Sequence, residues 1–285
     1  MKTNEINIRD PYILLEEDTY YLYGTRSNTC WGPAEGFDCY ESRDLENWEG
    51  PVEIFRRSED FFATENFWAP ECYKRNHKFY LITTLGAQGC KKGIYVLEGE
   101  HPQGPFSLYG SRLTPEEWNC IDGTLYFEDE KVFLIFSHSF EDTPDGDMCM
   151  VELEKNLSKP VGTPQTLFSA KEAEWARPVP FAEAEFGMKG DVYFTDGPCV
   201  FKEGQQLYMT WSSWGAHAYA VGIAVSESGR IEGPWTQMKE PVWPENGGHG
   251  MVFTDKTGER LFTLHYPNDK EKEHPCFFKL KLPVC

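Results

Sequence analysis

One pattern occurs five times along this chain, and it leaves few folds open. Asp10-Pro-Tyr-Ile-Leu-Leu passes through Glu-Glu-Asp into Thr19-Tyr-Tyr-Leu-Tyr-Gly-Thr25. Ala69-Pro-Glu-Cys-Tyr-Lys passes through Arg-Asn-His into Lys78-Phe-Tyr-Leu-Ile-Thr-Thr84. Asp122-Gly-Thr-Leu-Tyr-Phe leads to Lys131-Val-Phe-Leu-Ile-Phe-Ser137, and Asp196-Gly-Pro-Cys-Val-Phe leads to Gln205-Gln-Leu-Tyr-Met-Thr-Trp-Ser212. His249-Gly-Met-Val-Phe leads to Arg260-Leu-Phe-Thr-Leu-His265. Each copy is one residue before Pro or Gly, an apolar strand, a tight polar turn and a second strand of β-branched and aromatic residues. That is a β-hairpin, because turn formers bound two runs suited to a pleated surface. Third strands follow in most copies, as in Asp38-Cys-Tyr-Glu-Ser, Gly93-Ile-Tyr-Val-Leu and Val221-Gly-Ile-Ala-Val-Ser.

The lead residues Asp10, Ala69, Asp122, Asp196 and His249 lie 59, 53, 74 and 53 positions apart. Repeats of this length with three or four strands each are propeller blades. The expectation is a single all-β domain over residues 1–285, a five-bladed β-propeller with its site at the central channel. The segment after His249 is short for a full blade, and residues 3–9 could supply a missing strand. Thr114–Trp118 and Ser169–Trp175 could each start a helical turn, but neither sustains a 3.6-residue period.

Composition narrows the function. There are 46 acidic against 27 basic side chains, a net charge of −19, and no basic patch, which disfavours nucleic acid. No apolar run is long enough to span a bilayer, so no membrane partner is expected. The first residues have no apolar core of the secretory kind, and nine scattered cysteines form no C-x-x-C pair. A cytoplasmic location with reduced thiols is the expectation, Cys72, Cys149 and Cys199 serving as small apolar strand residues.

In a propeller the first strand of every blade lines the channel, so equivalent repeat positions converge on the axis. Three carboxylates and an imidazole would then share one small space. Like charges that close cannot all stay ionised, and at least one pKa should rise. Groups with split pKa values are what general acid and general base catalysis requires. His249 lies within Gly247-Gly-His-Gly250, where glycines allow close backbone approach. Most of the 20 Phe, 14 Tyr and 9 Trp should pack between blades. Trp31, Phe67, Trp68, Trp214 and Tyr219 lie in loops or beside lead positions, where flat faces can stack on sugar rings, with Trp68 the strongest candidate.

These residues resemble the family 43 glycoside hydrolases, five-bladed propellers that are mostly arabinofuranosidases, xylosidases and arabinanases. Arg9-Asp-Pro-Tyr-Ile is similar to the segment bearing the general-base aspartate, which implies that role for Asp10. Phe67-Trp-Ala-Pro-Glu71 is similar to the W-A-P segment whose Trp borders the sugar subsite. Ile121-Asp-Gly-Thr-Leu-Tyr126 resembles the segment whose aspartate tunes the acid, which implies that role for Asp122. Gly247-Gly-His-Gly-Met251 resembles the motif whose His stands in the channel near a calcium or a water network. The family's general acid is usually a Glu before Ala-Pro or Gly-Pro. Here Thr195-Asp-Gly-Pro198 places Asp196 there, with Glu71, Glu183 and Glu185 in reserve.

The resemblance implies an inverting exo-glycosidase acting on α-L-arabinofuranosides or β-D-xylosides in short oligosaccharides. Asp10 would be the base and Asp196 the acid, held protonated by Asp122. Trp68, Trp31, His249 and Arg177 (from Trp175-Ala-Arg-Pro178) would bind substrate. No cofactor is required, although His249 with waters could hold one Ca2+ in the channel. A catalytically silent propeller that binds sugar or protein, and a relative acting on galactosides, are the alternatives.

Overall fold

In the computed structural model, which describes residues 1–280 and 282, the chain forms five antiparallel sheets around one axis, four of four strands and the last of three. The innermost strands are Ile8–Glu16, Glu65–Arg75, Cys120–Glu128, Asp196–Glu203 and Gly248–Thr254. This is the expected all-β five-bladed propeller; of its expected span, residues 281 and 283–285 lie outside the described ones. Blade five keeps three strands. Residues Thr3–Glu5 form a 3-10 turn, and the chain from Ile8 belongs to blade one.

Second strands are flanked by neighbouring blades on both faces, which is why they read as continuous apolar runs rather than alternating ones. Lys131–His138, for instance, is buried at every position after the first. The turns before them use left-handed pairs such as Asn76-His77 (φ 48 and 64) and Asp129-Glu130 (φ 47 and 63), which match the twist of a tight hairpin. Aromatic clusters fill the seams between blades. Phe37, Phe55, Phe67 and Phe79 pack between blades one and two, and Phe168, Trp175 and Trp211 between three and four. Trp211 is fully buried, and truncating a core Trp to Ala costs about 3–5 kcal/mol.

Helix is nearly absent, as the period suggested. Ser169 opens a 3-10 turn over Ala170–Glu172, and Thr114–Trp118 is a plain turn. One five-residue helix, Ala182–Phe186, was not anticipated; it sits in the long segment before blade four.

At floor level every inner strand has the same kink. Arg9 pairs with Thr25 and Tyr12 with Tyr23, leaving Asp10 and Pro11 out of the ladder. Residues 69–70, 122–123, 197–198 and 249–250 are skipped in the same way. The first residue of each skipped pair is left-handed: Asp10 (φ 53), Ala69 (45), Asp122 (58), Gly197 (48) and His249 (50). Such backbone costs about 1–3 kcal/mol at a non-glycine residue and persists only where its surroundings impose it.

The surroundings do so by hydrogen bonds between blades. Thr25 Oγ1 accepts from the Ala69 N–H at 2.8 Å, Thr84 Oγ1 from Asp122 at 2.9 Å and Ser212 Oγ from His249 at 2.9 Å. His265 Nδ1 completes the circle, accepting from the Asp10 N–H at 3.3 Å. The remaining join differs, Ser137 donating to the Thr195 carbonyl at 2.6 Å.

This register corrects the sequence reading in blade four. Asp196-Gly-Pro contains two residues that precede Gly or Pro, and the kink falls on Gly197. Asp196 therefore corresponds to Arg9, Trp68, Ile121 and Gly248, one step above the floor.

Candidate active site

The kinked strands open on a cavity of about 910 Å³ at one end of the channel. Asp10, Asp122 and His249 line its floor, with Arg9, Trp68, Ile121 and Asp196 in the tier above. His249 is the hub. Its Nδ1 lies 3.0 Å from Asp196 Oδ1, 3.4 Å from Asp10 Oδ1 and 3.6 Å from Asp122 Oδ2. Gly197 makes room for the imidazole, since a Cβ there would stand 2.7 Å from His249 Cγ. Gly248 lets the Tyr219 ring pass, where a Cβ would come within 2.1 Å of it. Thr25 donates to Asp10 Oδ2, and the Gly197 N–H donates to Asp122 Oδ2 at 3.2 Å.

Three acids around one base fix the charge state. Burial opposes an imidazolium, but Asp10, Asp122 and Asp196 outweigh it and push His249 up to about 10. Burial likewise drives Asp122 well above the usual carboxylate range, reinforced by the charge of Asp196. Asp196 goes the other way: against its own desolvation, the His249 contact holds it below that range. The asymmetry has a geometric cause, since His249 Nδ1 stands 3.0 Å from Asp196 and 3.6 Å from Asp122. The two directions together point the shared proton of the pair to the deeper acid.

Asp10 and Asp196 both touch one nitrogen, at 3.4 and 3.0 Å, which caps the separation of those oxygens at about 6.4 Å. An inverting pair stands ~6.5–9.5 Å apart, carboxyl group to carboxyl group, to admit a water, and this bound on the two nearest oxygens is compatible with that range.

The other expected residues are distributed unevenly. Trp31 and Trp68 meet edge to face at 5.6 Å on one lip, Trp68 anchored by its Nε1 to the Cys30 carbonyl at 2.8 Å. Trp214 and Tyr219 also line the cavity, while Phe67 is buried in the seam between blades one and two. Arg177 is a correction: it is exposed outside the cavity, its Nη1 donating to the Glu174 and Ala176 carbonyls at 2.6 and 2.8 Å. Of the reserve acids, Glu185 lines the cavity from the short helix and Glu183 does not. Glu71 is sealed in the channel beside Tyr73, and burial raises it to about 7 against hydrogen bonds from Tyr73 and Thr124.

The channel offers a cation only part of a shell. Asp122, Asp196 and His249 place one atom each within 4.8 Å of one another, a set of two oxygens and one nitrogen. Ca2+ prefers six to eight oxygens, so these three residues would supply only a minority of its ligands.

Several residues were missed. Arg9 lines the cavity beside Asp10, and Thr25, Thr84, Ser212 and His265 hold the floor. Their common place at the end of each second strand was a readable signal. Phe140, Phe181 and Phe186 pack ring against ring as one wall of the cavity, drawn from segments without a repeat.

The model of glycosyl hydrolases family 43 matches residues 4–278. The crystal structure of an endo-arabinase from Bacteroides thetaiotaomicron superimposes with a TM-score of 0.89 at 32% identity, covering 99% of this chain and 97% of that one. An extracellular exo-α-(1→5)-L-arabinofuranosidase of Cellvibrio japonicus is 24% identical over 88% of this chain and 73% of its own length. A xylan 1,3-β-xylosidase from a Vibrio species is 24% identical over 88% of this chain, which spans only 46% of that protein.

Proposed function

The chain belongs to glycosyl hydrolase family 43 and is a glycoside hydrolase, and from that premise we propose that it releases terminal α-L-arabinofuranosyl or β-D-xylosyl units from short oligosaccharides with inversion. The observation that carries this reading is the convergence of three carboxylates on His249 at the floor of a cavity lipped by Trp31 and Trp68. Asp10 takes the proton of the attacking water. Asp122 and Asp196 act as one unit holding a single proton, which Asp196, the more exposed of the two, passes to the leaving oxygen. A sugar covering Asp196 removes its remaining water and raises its proton affinity, so the proton moves up from Asp122 as substrate binds. His249 then counters the charge left on the acid pair.

Terminal cleavage is favoured by the segment before blade four, where Phe181 and Phe186 wall one side of the cavity. A location inside the cell remains part of the proposal. Cell fractionation checks it.

A screen of 4-nitrophenyl glycosides against unactivated arabino- and xylo-oligosaccharides tests the roles. Asp10→Asn is expected to lower kcat about 10²–10⁴-fold on every substrate, as loss of a general base does. Asp196→Ala should be as damaging on oligosaccharides and much milder on nitrophenyl leaving groups, which need little protonation. Full oligosaccharide activity in Asp196→Ala would transfer the acid role to Glu185. The alternative is a propeller that binds sugar without cleaving it. Binding by wild type without turnover of any glycoside would establish that reading instead.

A further inference from the structure

Blade five departs from the other four at one position. Where they end their second strands in Thr25, Thr84, Ser137 and Ser212, it has His265. The imidazole does what a hydroxyl does, accepting from the Asp10 N–H at 3.3 Å, and it also reaches further. With Nδ1 accepting, Nε2 carries the hydrogen and donates to Asn268 Oδ1 at 3.4 Å. The same Asn268 oxygen accepts from Arg9 Nη1 at 2.9 Å, and that Nη1 also donates to Glu273 Oε2 at 2.7 Å. Glu273 is wholly buried on the loop closing blade five. A continuous chain thus runs from Glu273 through Arg9, Asn268 and His265 to the backbone of Asp10.

Arg9 is not used up by this chain. Its Nε and Nη2 hydrogens make no hydrogen bond to any described residue, and the side chain lines the cavity with its guanidinium 5.5 Å from the Trp31 ring. A planar fork of donors beside an aromatic face, next to the residue that activates water, suits a sugar ring carrying adjacent hydroxyls. Because Glu273 already balances the guanidinium, a substrate carboxylate would gain little there. The fit is to an uncharged pentosyl ring rather than to a uronate.

We propose that Arg9 binds the hydroxyls of the sugar held over Asp10, and that Asn268 and His265 keep its guanidinium in register with the Asp10 carboxylate. His265 is a positioning residue, and substrate recognition and placement of the base form one mechanical unit. The inference deepens the glycosidase reading and rests on it.

The test measures KM and kcat on the glycoside that wild type hydrolyses, with calorimetric titration of L-arabinose and D-xylose. Removing Arg9 alone would strand a buried Glu273 carboxylate, so the informative variants are Arg9→Met/Glu273→Gln and Arg9→Lys, which keeps the charge and loses the fork. Both should raise KM and weaken sugar binding, the double variant about 10- to 100-fold, with a much smaller change in kcat. His265→Thr restores the hydroxyl of the other blades and should lower kcat about 10-fold with KM nearly unchanged. Should the double variant fail to fold, Arg9→Lys decides. Hydrolysis by wild type with unchanged KM and sugar affinity in the Arg9 variants would overturn the proposal alone. A wild type that neither binds nor cleaves any pentoside would remove the glycosidase reading and this inference with it.

Discussion

The floor of the cavity and its rim are built on different physical terms. The floor is buried, left-handed in backbone and tied from blade to blade by short hydrogen bonds. The rim is stitched by partly exposed charge. Lys91 Nζ meets Asp142 at 2.5 Å, Lys92 pairs with Glu141, and Asp142 also accepts from the Asn119 N–H. Exposed ion pairs contribute about 0–1 kcal/mol each, whereas displacing a buried, bonded backbone costs several times that. The floor should therefore be intolerant and set the chemistry, and the rim should be adaptable and set the substrate.

The sharpest test of that division is Gly197→Ala. A methyl group there would meet the His249 ring and sit on a left-handed backbone. A loss of about 1–3 kcal/mol in stability is expected, with near-complete loss of hydrolysis as the imidazole is pushed off the three carboxylates. Chemical unfolding and a glycoside assay measure the two; a stable, active variant would mean that the floor is as forgiving as the rim.

The next effect lies beneath the floor. Glu71 binds its proton more tightly folded, at about 7, than unfolded, at about 4.5. Its contribution is therefore complete at low pH and is lost as pH rises through that interval. His249, raised from 6.5 to about 10, loses its contribution over the following interval in the same direction. Stability should fall from pH 5 to pH 8, and Glu71→Gln should flatten the slope by about 1–2 kcal/mol in urea unfolding. An unchanged slope would show that Glu71 titrates normally.

The smallest effect belongs to the rim. Trp31 is 66% exposed, so Trp31→Ala should leave stability within about 0.5 kcal/mol and raise KM about 2- to 10-fold. A collapse of kcat instead would merge rim and floor into one unit.

The same division explains what could be read without coordinates. Blades, lead residues and the floor acids were legible because a propeller forces each repeat to present the same position to one axis. The error at Asp196 arose where Asp-Gly-Pro satisfies the pattern twice, and only the pairing of Asp196 with Ser212 and Cys199 with Thr210 separates the readings. Arg177 was placed from its neighbours in sequence, but the chain turns there and its guanidinium caps nearby carbonyls. Arg9 went unassigned because its partners, Asn268 and Glu273, lie at the far end of the chain. The wall of Phe140, Phe181 and Phe186 belongs to segments that obey no repeat, so nothing in the residues foretold it.

Asp10, Asp122 and Asp196 come from blades one, three and four, and no single blade holds two of them. The hydrogen bonds that pin the floor run in one rotational sense, each second strand accepting from the next blade's lead residue, with the join into blade four alone built differently. A ring wired this way has no partial product. Four blades hold all three acids and the fifth brings His249, the hub they share, so hydrolysis is expected only from chains whose ends have met, and its recovery on refolding would report circular closure.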